Sequence, residues 1–503
     1  MLEYLISSLN TSTIILLVVS FLIYAWYKNV SRPAGLPPGP IALPIVGNIL
    51  ELTKGPLHEE FNKIAIKYGD IFSVKIGSSW CIILNNLELA KDAFLKKPVE
   101  FAGRPKTFTT EYFSQGYKDI ASVSLSPTWT LHRKITHTAI RHFASGKRLD
   151  QLIHSILPKL SRALDETEGK AFDPKEALGV AVYNILATMC FGHDYSFGDP
   201  KLQFWIDFNK DVMSDVGNGL PADFIPWLKH FPDARSKRVL KLIDDWHMEL
   251  GKEMTAHKES YDSENVKDLI DCLMKEQENA IAEGSAKVDS LTETHLLQTV
   301  SDLFQAGTDT TTTTLHWAVA LMAQHPEIQE KVAEEVDRVV GRDRPPSVED
   351  RGQLPYTEAC MYEMLRYSTV APIGVVHATM EDVALGNYMI PKDTWVMVNQ
   401  WAIHFDEKHW DEPNKFKPEH FLDESGGVRQ HPEGFLPFSF GRRVCLGESF
   451  AKAEIFILFS WLFQHYTFSV PPEHEEKFEL KLDLSTGLVN QLLEYDIVAK
   501  KRF

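Results

Sequence analysis

Apolar residues recur every three or four positions through most of the chain, and this spacing predicts a mainly helical protein. The longest such pattern runs from about Thr292 to Gln324 and ends before Pro326. It predicts a helix on the order of 50 Å long. Runs typical of strands are short and few, so we expect small β-sheets beside the helices. They lie near Ile71–Ile76, Cys81–Leu84, Val375–Thr379, Tyr388–Ile390 and Trp395–Asn399.

The amino-terminal segment has the features of a membrane anchor. From Leu9 to Tyr27 it is mostly apolar and carries no charge, and about 20 such residues cross a bilayer as a helix. A cleaved signal peptide is the alternative, but the only charge before the apolar core is Glu3, where a signal peptide has basic residues. Lys28 and Arg32 follow the segment, which predicts that its carboxyl side faces the cytoplasm.

A proline-rich stretch, Arg32–Pro40, follows the anchor. It is either a stiff linker that holds the body at a set angle or a disordered spacer. No repeat, low-complexity tract or comparable linker follows it, so we expect an anchor with the start of the hinge in residues 1–34 and one large domain in residues 35–503. The most polar stretch of that domain, Lys275–Lys287, is a candidate surface loop.

The composition excludes several classes of protein. The 503 residues carry a net charge of −17, which argues against nucleic-acid binding, since such proteins present a basic face. The five cysteines are far apart in sequence, which excludes zinc fingers, cluster-binding runs and dithiol motifs and argues against a disulfide scaffold. They are Cys81, Cys190, Cys272, Cys360 and Cys445.

Cys445 alone lies in surroundings that favour chemistry. Gly441 and Gly447 bracket it, two arginines precede it, and an amphipathic helical pattern runs from Glu448 to about Gln464. A helix amino terminus and nearby cations lower the pKa of a thiol and favour the thiolate that binds metals. The other four cysteines lie in apolar sequence and are expected to be structural.

Two further patterns are ambiguous by themselves. The long helix carries a glycine, an acid and a threonine run at Ala306–Thr314, which indicates either a functional break or a buried patch of satisfied hydroxyls. Glu363 and Arg366 are three residues apart on a predicted helix, where an isolated ion pair is most often a surface feature of little energetic weight.

Taken together, these motifs resemble those of the cytochrome P-450 family of haem-thiolate monooxygenases. The haem loop FxxGxRxCxG, the helix motif AGx(D/E)T(T/S), ExxR and WxxxR all occur in the family's chain order. The matching residues are Phe438, Gly441, Arg443, Cys445 and Gly447; Ala306–Thr311; Glu363 and Arg366; and Trp129 and Arg133. The resemblance implies a mainly α fold with small sheets that encloses haem b.

The resemblance also implies a role for each matching residue. Cys445 would be the axial iron ligand, Phe438 would pack beside the thiolate, and Gly441 and Gly447 would shape the loop around it. Arg443, Trp129, Arg133 and His377 would bind the haem propionates. Thr310 would hydrogen-bond the reacting oxygen and Asp309 would lie in the proton route. Ala306, Gly307, Ile373 and Val375 would line the substrate pocket.

One departure concerns the structural cluster around the ExxR pair. Family members often place an arginine in it from a PERF motif, whereas this chain has His420, as many animal microsomal members do. A neutral histidine cannot pair in two directions as arginine does. Glu363–Arg366 is therefore expected to be the essential link.

The implied reaction inserts one atom of O2 into a lipophilic small molecule, with electrons from NADPH. No flavin or NADPH motif occurs in the chain, so the resemblance implies NADPH-cytochrome P-450 reductase as a partner, with cytochrome b5 as a second candidate. Five basic residues either dock that partner or are ordinary solvated surface charges: Arg133, Lys134, Arg141, Lys147 and Arg442. The expected location is the endoplasmic reticulum membrane, with the catalytic domain on the cytoplasmic side.

The substrate is less well defined by the sequence. The stretch Phe224–Lys229 resembles the steroid 17-alpha-hydroxylase/17,20-lyase branch and favours a steroid. A broad-specificity xenobiotic or fatty-acid monooxygenase is the alternative within the family. A haem-thiolate isomerase and a non-catalytic haem- or lipid-binding protein are alternatives of other classes.

Overall fold

The computed structural model describes residues 30–143, 146–216, 219–429, 432–474, 478–484 and 489–503, and isolated positions between 13 and 20. The predicted anchor helix, about residues 9–27, therefore falls largely outside the described residues and stays a prediction. Within the described part of the chain, no helix combines the length and the apolar character that crossing a bilayer requires.

The described chain is mainly helical, as predicted. In chain order the α-helices are α1 (Ile49–Leu52), α2 (Leu57–Tyr68), α3 (Leu87–Lys91), α4 (Phe108–Phe113), α5 (Pro127–Phe143), α6 (Gly146–Asp165), α7 (Lys175–Phe191), α8 (Pro200–Val216), α9 (Pro221–Phe224), α10 (Ala234–Ser260), α11 (Leu269–Ala282), α12 (Glu293–Gln324), α13 (Pro326–Val339), α14 (Pro355–Ser368), α15 (Gln400–His404) and α16 (Glu448–His465).

The strands form small sheets, which confirms the second half of the fold prediction. They are β1 (Ile71–Ile76), β2 (Ser79–Leu84), β3 (Ala171–Phe172), β4 (His377–Ala378), β5 (Val383–Leu385), β6 (Tyr388–Ile390), β7 (Trp395–Val398), β8 (Tyr466–Ser469) and β9 (Ile497–Lys501). The largest sheet has the order β1-β2-β7-β4, with β2 and β7 parallel. The other two have the orders β3-β9-β8 and β5-β6. All five predicted strand runs coincide with observed strands to within two residues.

Helix α12 crosses the domain and packs against α7, α14 and α16. Its threonine run does not break it, because the helix is continuous from Glu293 to Gln324. The hydroxyls of Thr308, Thr310, Thr312 and Thr314 each donate to the carbonyl one turn earlier, at 2.7–2.9 Å. Of the two interpretations, satisfied hydroxyls are therefore what the structure shows at these four positions.

Two local predictions were wrong. Helix α16 is not amphipathic, since its residues from Ala453 to Gln464 are all buried; such a helix lies inside the core rather than on its surface. The Lys275–Lys287 stretch is not a loop, because most of it belongs to α11, which Asp268 caps by accepting a hydrogen bond from the Asp271 amide.

The proline-rich segment is docked on the domain. Ser73 of β1 donates its backbone N–H to the Pro38 carbonyl at 2.8 Å and its hydroxyl to the Pro37 carbonyl at 2.7 Å. A Cβ on Gly39 would lie 1.9 Å from the Ser73 oxygen, so only glycine permits this approach. In the structure the segment is therefore fixed to β1 and does not act as a free spacer.

Candidate active site

Cys445 lies in a tight loop just before α16. Its backbone N–H donates to the Phe438 carbonyl at 3.0 Å, and the Val444 N–H donates to the Gly441 carbonyl at 3.2 Å. Gly441 has a φ of +79°, and a Cβ there would lie 2.5 Å from the Phe94 carbonyl oxygen. The glycine thus allows the loop to turn against Phe94. The hydrogen bond from the Cys445 N–H to the Phe438 carbonyl joins the two ends of the loop.

Cys445 is also the one exposed cysteine of the five, all of which the structure describes. The net direction of its pKa differs from the sequence prediction, because burial of the surrounding loop raises the pKa of the thiol. The Gly447 amide and Arg133 lower it, as expected. Burial likewise raises the pKa of the other four thiols. An accessible thiol inside the fold can reach a metal, which then favours the thiolate.

Arg443 is buried two residues before Cys445. Its guanidinium lies 4.3 Å from the Trp129 ring centroid, and its Nη2 donates to the Ala102 and Val123 carbonyls at 2.8 and 2.5 Å. Trp129 donates its indole N–H to the Ile120 carbonyl at 3.1 Å. The structure thus brings the haem-loop arginine against the first residue of the WxxxR motif.

Arg133 and His377 join the same region. Arg133 donates to the Val444 carbonyl next to Cys445, and its guanidinium lies 5.4 Å from the Trp129 ring. His377 of β4 pairs through Nδ1 with the Phe101 carbonyl at 2.7 Å. Burial, with the neighbouring Arg104 and Arg443 charges, lowers the pKa of His377 well below its ordinary value. Its imidazole is therefore neutral.

Arg104 belongs to this cluster, although the sequence analysis did not select it. It is buried and donates to the Ala121 carbonyl at 2.9 Å and to the Val375 and Val376 carbonyls at 3.0 Å. The available sequence signal was weak: an arginine between Gly103 and Pro105 in an otherwise apolar segment. Its partners lie far away in the chain and leave no local pattern.

The three buried or half-buried guanidinium groups carry more positive charge than their neighbours neutralise. Burial, with repulsion from the other arginines, lowers the pKa of Arg443 to about 8 and that of Arg104 to about 10. Burial raises the pKa of Asp119, which lies near Arg104 and Arg443, and that of Asp302, which accepts hydrogen bonds from the Ile120 and Ala121 amides. Such a cluster suits a ligand with two carboxylates, because arginine binds carboxylates with two parallel hydrogen bonds. The residues present therefore fit the propionates of the predicted haem.

Glu363 and Arg366 are fully buried on α14, contrary to the surface interpretation of the isolated pair. Arg366 donates Nε and Nη2 to the two Glu363 oxygens at 2.8 and 2.7 Å. Its Nη1 donates to the His404 and Pro413 carbonyls at 2.7 and 2.9 Å. The pair is therefore satisfied on both sides, and Arg366 links α14 to the segments that carry His404 and Pro413.

His420 reaches the same carboxylate from the Pro418–Phe421 turn. Its Nδ1 lies 3.2 Å from both Glu363 oxygens and its Nε2 faces the Asp411 carbonyl. Histidine therefore contacts two acceptors here, which the sequence analysis did not expect. A neutral imidazole can donate to only one of them, so Arg366 remains the stronger partner of Glu363.

Helix α12 presents a small accessible face at its centre. Ala306 and Thr310, one turn apart, are exposed although they lie mid-helix within the domain. The Thr310 hydroxyl donates to the Ala306 carbonyl at 2.7 Å. The Asp309 side chain instead points toward the carboxyl-terminal segment, where its Oδ1 accepts a hydrogen bond from the Gln491 side chain at 3.0 Å. Burial raises the pKa of Asp309 to about 6, which suits a group that exchanges protons near neutral pH.

Of the remaining predicted pocket residues, Val375 is exposed, whereas Ile373 and Gly307 serve packing. Val375 is 63% exposed and adjoins Arg104 through its carbonyl. Ile373 is 3% exposed and packs in the core beneath the large sheet, so the structure gives it no accessible surface for a ligand. Gly307 faces α7, where a Cβ would lie 2.8 Å from Leu186. It therefore serves close helix packing rather than the pocket.

A depression of about 630 Å³ opens beside Cys445, which belongs to its lining. Among the candidate docking residues, Arg133, Lys134 and Arg141 line it, together with Arg351 and Lys452. Lys147 and Arg442 are exposed but do not belong to its lining. The single acid in the lining is Glu448, so this surface is basic despite the net acidity of the chain.

Comparison with known proteins gives a consistent result along the whole chain. The family model described as Cytochrome P450 matches residues 37–497. The proteins similar to this chain include three described as steroid 17-alpha-hydroxylase/17,20 lyase. That of Oryzias latipes is 37% identical over 98% of this chain and 96% of its own length. That of Gallus gallus is 37% identical over 97% of both chains, and that of Rana dybowskii 38% identical over 95% and 91%.

Proposed function

Because the chain belongs to the cytochrome P450 family, we propose that it is a membrane-bound monooxygenase that hydroxylates a steroid at the 17-alpha position. The site residues already assigned by geometry support the family chemistry. The haem, when bound, supplies an iron whose Cys445 thiolate ligand promotes cleavage of the O–O bond. The residues of this chain hold that group, orient the substrate and move protons.

The cluster of arginine side chains is the main observation that supports the proposal of haem binding. Arg133 and Arg443 place their guanidinium groups over the buried Trp129 ring, and Arg104 is near enough to both for the three positive charges to repel one another. Two carboxylates bound there would relieve the repulsion among the three cations, which is a large effect in a buried site. The same cluster adjoins Val444 and Cys445 through Arg133, so one ligand can contact the cations and the thiol together.

The centre of α12 supports oxygen chemistry. Ala306 offers a small apolar surface, and Thr310 holds a hydroxyl on the same accessible face. Asp309, whose pKa of about 6 allows both protonation states near neutral pH, adjoins Thr310 in the chain. We assign Thr310 to hydrogen-bond the reacting oxygen and Asp309 to hold a proton for it.

The steroid assignment rests on similarity along nearly the whole chain. Relatives described as steroid 17-alpha-hydroxylase/17,20 lyase cover more than nine tenths of this sequence at 32–38% identity. Pocket specificity is fixed by a few side chains. A related enzyme with a different lipophilic substrate is therefore the outcome against which the steroid must be tested.

Membrane association is part of the proposal, and the apolar segment of residues 9–27 supports it. A second support is a cluster of exposed apolar side chains that we call the apolar patch: Ile41, Leu43, Ile45, Leu50, Trp227 and Phe231, each between 48% and 88% exposed. The patch has one part in residues 41–50 and a second in residues 227–231. The turn between β1 and β2 joins them, because the Gly77 N–H donates to the Val46 carbonyl and the Ser78 N–H to the Phe224 carbonyl. An exposed apolar surface of this extent is typical of a membrane contact. We propose that this membrane is the endoplasmic reticulum, with the catalytic domain on the cytoplasmic side.

Electron delivery by a separate reductase completes the proposal. The basic depression beside Cys445 lies next to the proposed iron ligand and suits an acidic partner. NADPH-cytochrome P-450 reductase is the proposed partner, and cytochrome b5 would compete for the same charge. Raising the ionic strength should weaken this association, since surface charges are screened by salt.

One experiment tests the catalytic part of the proposal. The full chain is purified with haem, and the spectrum of its reduced carbon monoxide complex is recorded. It is then incubated with reductase, NADPH and a panel of steroids and non-steroid lipophiles. The red-shifted band of a thiolate ligand and NADPH-dependent 17-alpha-hydroxylated product are expected, and a cleaved side chain would reveal a lyase step.

Each of the other possible outcomes contradicts one part of the proposal. Absence of the band would exclude thiolate-ligated haem. Turnover of xenobiotics or fatty acids without steroid turnover would favour the broad-specificity alternative. Product formed without NADPH would indicate an isomerase, and a band without any turnover would indicate a binding protein.

A further inference from the structure

The Asp309 side chain is held from outside its own helix. Gln491, in the carboxyl-terminal segment, donates Nε2 to Asp309 Oδ1 at 3.0 Å. Lys175, the first residue of α7, donates Nζ to Gln491 Oε1 at 3.0 Å. Three residues that are distant in sequence therefore form one chain of side-chain hydrogen bonds that ends at the proposed proton carrier.

The partners of the Gln491 amide fix its orientation. A lysine ammonium can only donate hydrogen bonds, and an ionised carboxylate can only accept them. An amide placed between the two must turn its oxygen to Lys175 and its NH2 to Asp309. A flipped amide would place donor against donor and acceptor against acceptor, so this link has one stable arrangement.

The backbone that carries Gln491 is also fixed. Its neighbour Asn490 accepts the Trp317 indole N–H at 2.7 Å and donates its side chain to the Thr369 carbonyl at 3.0 Å. The Asn490 N–H donates to the Val370 carbonyl at 2.9 Å. The segment is thus clamped between α12 and the end of α14, and Gln491 is 6% exposed.

The second oxygen of Asp309 has a different environment. Asp309 Oδ2 is buried and finds no hydrogen-bond partner among the described residues. Burial raises the pKa of Asp309, while Lys175 and the Gln491 amide lower it, and the result is about 6. Among the described residues, the ionisable Tyr183 of α7 also faces it, and the charges near Lys175 include the His316–Asp173 pair and Glu494.

We propose that Gln491, backed by Lys175, is a positioning residue that orients Asp309 and leaves its Oδ2 as the atom that releases and regains a proton in each turnover. The inference rests on the proposed monooxygenase function and deepens it. With Oδ1 held by an amide that cannot turn, only Oδ2 carries the exchangeable proton. After release, Asp309 remains as the carboxylate that Gln491 stabilises until a proton returns from solvent.

The test compares Gln491→Met with wild type in the haem-loaded, full-length protein. Methionine has a similar length but cannot hydrogen-bond as the amide does, so the carboxylate loses a donor. Gln203→Met is the matched control, because Gln203 donates to Asp207 at 2.9 Å in the same kind of amide–carboxylate pair on the exposed side of α8. The carbon monoxide band and the KM for steroid should be unchanged in both variants.

We expect Gln491→Met to shift the pH profile of kcat upwards by about one unit, since a hydrogen bond to a charged group has about this effect on a pKa. Because the carboxyl group is no longer held in one orientation, the maximum of kcat should fall severalfold and the solvent isotope effect on kcat should rise. Lys175→Met should shift the profile in the same direction, which provides a second variant if the first folds poorly. In an Asp309→Asn background, Gln491→Met should have no further effect.

A readout independent of turnover is the pH dependence of thermal unfolding of the holoprotein. The folded-state pKa of Asp309 lies above its ordinary value of 3.8, so the folded state is favoured by protonation. Its stability contribution falls as the pH rises through about 6. In Gln491→Met this fall should extend to higher pH, whereas in Gln203→Met it should match wild type.

The proposal is overturned if Gln491→Met leaves the kcat profile and the unfolding profile where wild type has them. It is also overturned if the variant lowers kcat equally in the Asp309→Asn background, because Gln491 would then act through another group. Failure of the proposed function gives a different result: wild type itself would lack the thiolate band or the NADPH-dependent product.

Discussion

Arg366 and Glu363 form a two-pronged ion pair in which neither side chain has any exposed surface, with nitrogen–oxygen distances of 2.7 and 2.8 Å. The pair is linked to the cysteine loop in two steps. Arg366 donates to the His404 carbonyl, and the His404 ring accepts the Leu436 N–H at 2.9 Å. Leu436 begins the turn that leads to Phe438 and Cys445, so the ion pair supports the loop that holds the thiol.

Removing the arginine should prevent stable haem incorporation. Arg366→Ala leaves a buried carboxylate without its cation, and losing one partner of a buried pair costs about 3–5 kcal/mol. The measurement is haem content per protein together with the free energy of unfolding. Arg342→Ala is the control, since Arg342 pairs with Asp337 at 2.7 Å but is 54% exposed, where the loss is below about 1 kcal/mol. An Arg366→Ala protein with full haem content would refute the role.

Arg104 should contribute to haem retention although no motif marks it. Arg104→Leu removes one cation from the cluster with Arg133 and Arg443, and we expect haem to dissociate about tenfold faster. Transfer of haem to an apoprotein acceptor measures the rate. Arg442→Leu is the control, because Arg442 is an exposed arginine beside Arg443 in the same loop. Equal rates in the two variants would exclude Arg104 from the haem site.

The features that are determined by residues close together in the chain could be predicted from the sequence. Helix α12 begins one residue after Thr292 and ends two residues before Pro326, and the end could be predicted because a proline acts on its immediate neighbours. Cys445 was identifiable for the same reason, since its glycines and arginines lie within four residues of it.

The parts that were missed depend on contacts between distant segments. Gln491 meets Asp309 across 182 positions, and Arg104 meets Val375 across 271. The burial of Glu363 and Arg366 depends on carbonyls contributed by His404 and Pro413, so spacing alone made the pair resemble a surface pair. Tertiary packing also placed all sides of α16 in the core, which its sequence did not distinguish from one buried face.

Cys445→Ser should abolish the thiolate signature without unfolding the protein. A serine hydroxyl fits the loop, whose closing hydrogen bond uses the Cys445 backbone, but it is a poor iron ligand compared with a thiolate. The reduced carbon monoxide complex should lose the red-shifted band, while circular dichroism stays that of wild type. Cys272→Ser is the control and should keep the band, because Cys272 lies half-buried on α11, away from the site. A red-shifted band in Cys445→Ser would identify another ligand.

The apolar patch should enter the lipid surface. Trp227 belongs to the patch and is 61% exposed, and an indole prefers the interface between lipid and water. Bromine-labelled lipids in vesicles should quench part of the tryptophan emission, and Trp227→Phe should remove a measurable share of that quenching, the rest coming from Trp26 of the predicted anchor. Trp246→Phe is the control, since Trp246 is fully buried. Equal quenching in wild type and Trp227→Phe would place the patch outside the membrane.

The stability of the domain should decline in alkaline solution because of His257. Its Nε2 lies 2.9 Å from Asp268 Oδ2, and its Nδ1 donates to the Glu253 carbonyl at 2.8 Å. Burial disfavours the charged ring, but the hydrogen bond and charge of Asp268 outweigh it and raise the pKa of His257 to about 9. A folded-state pKa above the unfolded value means that the stabilisation is complete below about pH 6.5 and is lost as the pH rises through about 9.

We expect about 2 kcal/mol of stability to disappear over that interval, allowing for partial solvent screening of the pair. Thermal unfolding of the holoprotein between pH 6 and 10 measures it. His257→Gln should be less stable than wild type at pH 6 and should show a smaller decline toward pH 10, because it has no proton to lose at this site. His154→Gln, which removes a ring bound to the Pro346 carbonyl, should keep the wild-type decline. A His257→Gln curve parallel to wild type would show that the alkaline loss arises from another group.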